Sequence, residues 1–126
     1  MGNRKIYDKE GHAFFVTFSC YKRRKHLGRD HAKRIVVEIL ASELKKHDGK
    51  CLGFAVMPDH VHTVVWFSEN EKLSIFMKQW KQRSSFQIKK YLLSEAGRYT
   101  KNFDLKDAIW QRHYYCFNII SENKLT

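Results

Sequence analysis

The stretch CLGFAVMPDHVHTVVWF, residues 51–67, decides how this chain folds. Alternating apolar residues stand on both sides of a central proline-aspartate pair, which is typical of a turn between two strands. Side chains on a strand alternate between two faces, so His60 and His62 should point to one side of a sheet and Val61 to the other. The stretch therefore predicts two adjacent antiparallel strands with a histidine pair on one face.

Two elements are predicted before this hairpin. Residues 13–20, AFFVTFSC, alternate as a strand does. A helix should then begin with Asp30 as its cap and end with Gly49 as a left-handed cap. Its apolar residues recur at helical spacing and predict one buried stripe: Ala32, Ile35, Val36, Ile39, Leu40 and Leu44.

Further elements are predicted after the hairpin. Ser74 can cap a second helix that has an apolar stripe and a basic face. The stripe comprises Met77, Trp80, Ser84, Ile88, Tyr91 and Leu92, and the other face carries Lys78, Lys81, Ser85 and Lys89. Residues 95–104 have the composition of a loop, and residues 108–119 that of a strand or extended segment. Ser121 could cap a last helix that starts with Glu122.

The order strand, helix, strand, strand, helix, strand predicts an α+β fold of the ferredoxin-like (RRM-like) sandwich type. We expect one antiparallel sheet of four to five strands with two helices on one face. Residues 1–126 should form a single domain. The other face of the sheet would be free to bind, and the two imidazoles would lie on it.

Composition narrows the range of partners. The 126 residues carry 24 Lys and Arg against 13 Asp and Glu, a formal net charge of +11, which favours nucleic acid over a membrane surface. No stretch reaches the roughly 18 apolar residues of a transmembrane helix, and the N terminus lacks a secretory signal, so we expect a cytoplasmic protein. Cys20, Cys51 and Cys116 form no CxxC pair, and we interpret them as reduced, mostly buried thiols.

The histidine pair has two interpretations. As a functional site, His60 and His62 would share one cation beside a basic surface, where a metal can polarise a phosphoryl oxygen of a phosphodiester. As a structural feature, they would be only the polar, outward residues of a half-exposed strand. Two histidines one residue apart are a weak motif on their own, so the residues alone leave both interpretations open.

Three segments resemble one family. MPDHVHTVVWF, residues 57–67, resembles the histidine–hydrophobe–histidine (HUH) signature of the single-tyrosine DNA transposases. WQRHYYCFNIISENKL, residues 110–125, is similar to the segment after the second helix in their REP-associated branch, and WKQRSSFQIKK, residues 80–90, to that family's lysine- and serine-bearing helix. The family's fold is a ferredoxin-like sheet with the HUH pair on a central strand, which agrees with the predicted order of elements.

The resemblance implies metal-assisted cleavage and rejoining of single-stranded or hairpin DNA through a 5′-phosphotyrosine intermediate. His60 and His62 would hold Mg²⁺ or Mn²⁺, although imidazole suits zinc or nickel at least as well. The family's catalytic tyrosine lies on a helix that would start near Glu122, and no tyrosine of this sequence matches that position. We therefore expect a domain that lacks the C-terminal tyrosine helix, with Tyr115 as the fallback nucleophile.

The side chains expected to contact phosphates lie in the turn after the first strand and on the second helix: Arg23, Arg24, Lys25, Lys78, Lys81 and Lys89. For each of them, a solvated surface charge is the alternative. The three tryptophans, Trp66, Trp80 and Trp110, could stack on bases but are better explained as core residues.

Two rival functions accompany the transposase hypothesis. One is a catalytically inactive nucleic-acid-binding module on the same fold. The other is a metal-independent RNA binder of the RNA-recognition-motif type, which is weaker because the first strand lacks the signature of that motif. The resemblance allows both a monomer and a homodimer, and it implies no membrane partner.

Overall fold

The computed structural model describes residues 11–69, 71–94 and 106–119. In chain order these residues form β1 (His12–Ser19), a short 3-10 turn (Tyr21–Arg23), α1 (Asp30–Lys46), β2 (Lys50–Val56), β3 (His60–Phe67), α2 (Lys72–Ser94) and β4 (Tyr115–Asn118). The strands form one antiparallel sheet in the order β2-β3-β1-β4. This is the predicted α+β ferredoxin-like order. Neither described helix is long and apolar enough to cross a membrane.

The alternation of side chains along β1 and β3 gives the sheet two different faces. On the face that α1 and α2 cover, the opposed pairs are Phe14 with Val65, Val16 with Thr63, and Phe18 with Val61. The residues between them point away from the helices. Thr17 and Ser19 therefore share the open face of the sheet with their cross-strand partners, His62 and His60.

Phe18 lies at the centre of the core between two tryptophan rings. Its ring meets Trp80 edge-on at a centroid distance of 4.9 Å and Trp110 at 4.7 Å. The indole N–H of Trp110 donates to Ser84 Oγ at 3.0 Å, and that hydroxyl donates to the carbonyl of Trp80 at 2.7 Å. Every polar atom in this chain of contacts is paired, which ties the segment before β4 to α2 without an unsatisfied buried donor.

All three tryptophans are buried, as predicted: Trp66, Trp80 and Trp110. The apolar stripes of the two helices also face the core as predicted. The sequence placed the start of α2 wrongly, because α2 begins at Lys72 rather than after a cap at Ser74. The loop predicted for residues 95–104 and the helix predicted after Ser121 lie outside the described residues.

The ends of α1 differ in detail from the prediction. Asp30 is the first residue of the helix rather than its cap. Asp48, with a φ of 55°, takes the left-handed conformation that was predicted for Gly49. Gly49 is needed for space instead, since a Cβ there would lie 2.6 Å from the Phe67 ring and 2.8 Å from a methyl group of Leu44. The prediction that a glycine is needed at the end of α1 was therefore correct, but the reason is space rather than a left-handed backbone.

The predicted regular alternation of β2 is interrupted by a bulge between Cys51 and Gly53. Phe54 follows the bulge on this edge strand, and its side chain is 54% exposed. The thiols are free as predicted, but Cys51 and Cys116 are exposed and only Cys20 is buried. The expectation of mostly buried thiols is wrong because Cys51 and Cys116 lie on β2 and β4, the edge strands of the sheet that the described residues form.

A buried carboxylate, absent from the sequence predictions, joins the two helices. Glu43 of α1 is 1% exposed, and its Oε2 accepts a hydrogen bond from Arg83 of α2 at 2.7 Å. Its other oxygen lies 3.3 Å from Nε2 of His47. A buried carboxylate is costly unless it is paired, so Arg83 should be needed chiefly because Glu43 is there.

We therefore expect Arg83→Met to lower the free energy of unfolding by about 1–3 kcal/mol, because it leaves a buried charge unpaired. The double variant Glu43→Met/Arg83→Met should lose less than Arg83→Met alone. Urea denaturation measures both, with Lys90→Met as the control for removing an exposed cation from the same helix. A double variant that loses as much stability as Arg83→Met, or more, would contradict this account.

Candidate functional site

The two histidines lie side by side on the open face of β3, one of the two central strands. His60 stands opposite Ser19 of β1, and His62 stands opposite Thr17. Their ring centroids are 4.6 Å apart, with the ring planes at 80°. Both rings are half-buried, so each is held by its neighbours and still reaches solvent. This arrangement suits two imidazoles that share one ligand.

Asp59 holds the ring of His60. Nδ1 of His60 lies 2.6 Å from Oδ1 of Asp59, and both side chains are 22% exposed. The hydrogen bond from His60, followed by the charge of Arg23, holds the pKa of Asp59 below its usual value. A protonated Nδ1 that donates to this carboxylate leaves Nε2 of His60 with its lone pair outward, which is how histidines are commonly oriented for metals.

His62 is placed differently from its neighbour. Its Nδ1 is buried and makes no hydrogen bond to the described residues. Its ring stacks on Phe15 with a centroid distance of 5.7 Å and an interplanar angle of 20°. Burial, followed by the nearby charge of His60, lowers the pKa of His62. Both causes favour the neutral imidazole, which is the form that binds a cation.

The turn that carries Asp59 is fixed from two directions by backbone hydrogen bonds. The amide of Cys20, just after β1, donates to the carbonyl of Asp59 at 2.9 Å. The amide of Leu27 donates to the carbonyl of Pro58, also at 2.9 Å. Because the turn is anchored to the chain that follows β1, the carboxylate beside His60 has a defined position.

Arg23 is the predicted phosphate-binding residue that the structure brings to the histidines. Its Nε donates to Oδ2 of Asp59 at 3.1 Å, and its Nη1 donates to Oγ of Ser19 at 3.1 Å. Its side chain remains 60% exposed, so it can still meet a ligand. Lys22 and Arg23 have φ values of 55° and 56°, a left-handed backbone that most residues avoid. This unusual turn directs the guanidinium toward the site.

Other predicted basic residues have different surroundings. Nη1 of Arg24 forms an ion pair with Asp107 at 2.7 Å, which links the turn after β1 to the segment before β4. Lys25 is exposed in the same turn. Lys78 and Lys89 lie on α2, on the opposite side of the sheet from the histidines. The structure therefore does not gather the predicted set into one patch.

Lys81 has a structural contact that its sequence position did not reveal. Its ammonium group donates to the carbonyl of Gln111 at 2.7 Å and to that of Arg112 at 3.1 Å. Burial lowers its pKa. Lys81 thus holds the backbone of the segment that leads into β4.

Tyr115 shares the open face with the histidines, whereas its neighbour does not. Thr17 of β1 pairs with His62 of β3 on one side and with Tyr115 of β4 on the other. The three residues therefore form one row across the sheet. Tyr115 is 57% exposed. Tyr114 points to the helix-covered face, where burial raises the pKa of its hydroxyl. Adjacent residues of a strand point to opposite faces, so only one of the two tyrosines can share the face of the histidines.

A basic cleft lies beside the histidine pair. It has a volume of about 550 Å³, and its lining includes Ser19, Arg23, Arg112, His113 and Tyr115. None of its lining residues is a carboxylate. Since Ser19 stands opposite His60, the cleft begins next to the pair. Sequence reasoning missed two of these residues, Arg112 and His113, because an extended segment without regular periodicity gives no sign of which side chains face the sheet.

The donor set partly fits a divalent ion. Two half-buried imidazoles, one of them oriented by a carboxylate, would supply two ligands. Within residues 11–69, 71–94 and 106–119, no three His, Cys, Asp or Glu side chains are grouped closely enough to hold a metal together. The remaining ligands would have to come from water, DNA or other parts of the chain.

A family model described as "Transposase IS200 like" matches residues 9–126. The chain belongs to the IS200-like transposase family. The match covers both central strands, both helices and β4. No curated protein matches this sequence.

Two solved structures share the fold of this transposase domain. A candidate transposase from Deinococcus radiodurans R1 has a TM-score of 0.67 and 17% identity, over 90% of this chain and 82% of that one. A REP-associated tyrosine transposase bound to a REP hairpin has a TM-score of 0.63 and 14% identity, over 94% of this chain. The aligned part is 62% of that second protein. At these identities the likeness concerns the fold alone.

We expect Asp59→Asn to weaken Mn²⁺ binding by about 10- to 100-fold, the usual effect of removing a group that orients a metal-binding histidine. The affinity is measured by titration calorimetry, or by the loss of the electron paramagnetic resonance signal of free Mn²⁺ on binding. Asp107→Asn, which removes a carboxylate away from the pair, should bind as the wild type does. The His60→Ala/His62→Ala variant should lose the site. Equal affinity of all four proteins would refute both the metal site and the role of Asp59.

Proposed function

We propose that this chain is the DNA-handling domain of a transposase that cleaves and rejoins single-stranded or hairpin DNA through a 5′-phosphotyrosine intermediate. One observation carries the proposal: in an IS200-like transposase domain, His60 and His62 lie together on the open face of a central strand, with Arg23 bound to the carboxylate beside them. The REP hairpin bound by a protein of similar fold supports hairpin DNA as the partner.

In this proposal His60 and His62 hold Mg²⁺ or Mn²⁺. A metal bound there would polarise the phosphoryl oxygen and offset the charge that develops during attack. Asp59 keeps Nε2 of His60 directed at the site by accepting a hydrogen bond from the Nδ1–H group. Arg23 is exposed enough to pair with a neighbouring phosphate, and its bond to Ser19 limits its freedom, so it positions the strand.

Tyr115 is a poor nucleophile in this arrangement. Attack requires the oxygen to lie about 3 Å from phosphorus and in line with the leaving group. Tyr115 is two strands away from His62, a backbone separation of roughly 10 Å, and β4 fixes its direction. The resemblance to the single-tyrosine transposases implies a nucleophile on a helix instead. We therefore assign Tyr115 a role in binding rather than in covalent chemistry.

We expect residues 1–126 to form no covalent adduct with hairpin DNA that carries a single-stranded flank, even with Mn²⁺. Denaturing electrophoresis of labelled DNA after incubation measures this. An adduct that is lost in Tyr115→Phe and kept in Tyr114→Phe would show that Tyr115 is the nucleophile after all. That result would refute the positional argument and establish the enzyme class.

DNA binding should depend on salt, because most of its affinity is expected from phosphate contacts. With about five contacts to a single strand, log affinity should fall with log salt at a slope of about −3.5, and Arg23→Met should make the slope less steep by about 0.7. Fluorescence anisotropy at several salt concentrations measures both slopes. Lys90→Met is the control. A flat salt dependence, or no binding at low salt, would remove DNA as the partner.

The rival of the same fold is a catalytically inactive nucleic-acid-binding module. It is favoured by the absence of a third clustered ligand among the described residues. It predicts the same DNA affinity with and without Mn²⁺, whereas the transposase proposal predicts tighter binding of the scissile segment with the ion. An RNA binder would prefer RNA without any ion. The homodimer that the resemblance allows stays a prediction.

A further inference from the structure

The outward side of α2 carries three large apolar side chains that face solvent. Ile75 is 46% exposed, Phe86 65% and Leu93 51%. Seven and eleven residues are each close to a whole number of helical turns, so these three residues lie on one line along the helix, about 27 Å long. The core-facing stripe, which includes Trp80 and Ser84, lies on the opposite side of α2. We call Ile75, Phe86 and Leu93 the outer row.

The outer row gives α2 a second apolar face. Single apolar residues on a surface are normal, but a helix that already buries one stripe in its own core has no internal use for a second line of apolar side chains. Phe86 is the most exposed large apolar residue described. An apolar line of this kind on the outside of a domain is typical of a surface that receives another helix.

The charges of α2 indicate the chemistry of that partner. Between Lys72 and Ser94 the helix has no acidic residue and six basic ones: Lys72, Lys78, Lys81, Arg83, Lys89 and Lys90. A partner that approaches α2 therefore meets a cationic surface, which favours acidic groups.

Lysines stand on both sides of the outer row. Lys78 and Lys89 border it on one side, and Lys90 borders it on the side that faces α1. On that second side, Nζ of Lys46 in α1 donates to Oε1 of Gln79 at 3.3 Å. Within residues 11–69, 71–94 and 106–119, the three bordering lysines of α2 form no ion pair. Their charges are therefore available to carboxylates of a partner.

A second copy of this chain fits the outer row poorly. Two antiparallel copies of α2 that set Ile75 of one against Leu93 of the other would also set Lys78 against Lys90. Like charges at that contact, together with a formal net charge of +11 on each chain, oppose the pairing. Nucleic acid would use the lysines but leave the apolar line in water, because phosphates supply most of its contacts.

We propose that α2 docks an acidic amphipathic helix of another protein, with the apolar stripe of that helix on the outer row and its carboxylates on the bordering lysines. A partner helix suits the row because its own apolar residues recur at the same spacing. Helix axes pack about 8–10 Å apart, a distance at which lysine side chains on the flanks can reach carboxylates. The outer row lies on the other side of the sheet from His60 and His62, so the inference does not depend on the proposed function.

The test uses a labelled synthetic peptide of about 21 residues, with leucine at the first and fourth positions of each heptad and glutamate on both flanks. A scrambled peptide of the same composition has the same charge and no apolar stripe. Fluorescence anisotropy should show saturable binding of the amphipathic peptide by the wild type, tighter than binding of the scrambled peptide by about 10-fold or more.

Substitutions separate the two parts of the surface. Phe86→Ser should weaken binding of the amphipathic peptide by about 10-fold, because the ring no longer contributes its burial. Leu52→Ser is the matched control, since Leu52 is a 45% exposed apolar residue on β2, and it should bind as the wild type does. Lys89→Gln/Lys90→Gln should weaken binding of this peptide and leave binding of its glutamine-for-glutamate version unchanged.

The comparison of the two peptides needs only the wild type, so it decides the matter even if a variant folds poorly. No saturable binding of the amphipathic peptide, or equal affinity for the scrambled one, would overturn the inference. Self-association of the wild type that Phe86→Ser abolishes in analytical ultracentrifugation would assign the outer row to a second copy and also overturn it. Hairpin DNA should bind Phe86→Ser and the wild type equally, and a loss of DNA binding in that variant would assign the row to nucleic acid instead.

Discussion

The antiparallel pairing of β1 with β3 is the interaction on which the core and the candidate site both depend. It places Phe18 opposite Val61 on the helix-covered face and Thr17 opposite His62 on the open face. A slip of one residue would turn His60 and His62 toward the core and expose Val61 between them. Burial of one face thus fixes the position of the histidines on the other. The same strand register that stabilises the core places the candidate site.

The turn after β1 connects the predicted phosphate contact to the predicted metal ligand. Arg23 binds Asp59, and Asp59 binds His60, at distances of 3.1 and 2.6 Å. Lys22 and Arg23 adopt positive φ, a conformation that costs of order 1–3 kcal/mol per residue. Hydrogen bonds from Cys20 and Leu27 to the histidine turn hold this region together. A phosphate bound by Arg23 would therefore lie next to a histidine pair whose geometry is fixed before the phosphate binds.

Much of the fold followed from periodicity, and the errors have physical causes. The stripes of both helices and the alternation of β1 predicted which faces are buried, because burial must repeat with the period of the element. The starts of the helices were misplaced, since a cap depends on the local backbone and Ser74 lies inside α2. The prediction that Cys51 and Cys116 are buried was wrong, because the exposure of an edge-strand residue depends on how far the helices extend over it. Glu43 had no visible signal, as its partner Arg83 lies 40 residues away.

The sequence by itself determined the order of elements, the face of the sheet that carries His60 and His62, and the resemblance to a transposase family. All three depend on spacing along the chain, which is local. Only the tertiary structure decided that Arg23 reaches Asp59, that Tyr115 shares a row with His62 while Tyr114 does not, and that a basic cleft begins next to the histidine pair. These contacts join segments far apart in sequence. Their formation depends on strand register and on how the turns bring the segments together, which no short pattern of residues encodes.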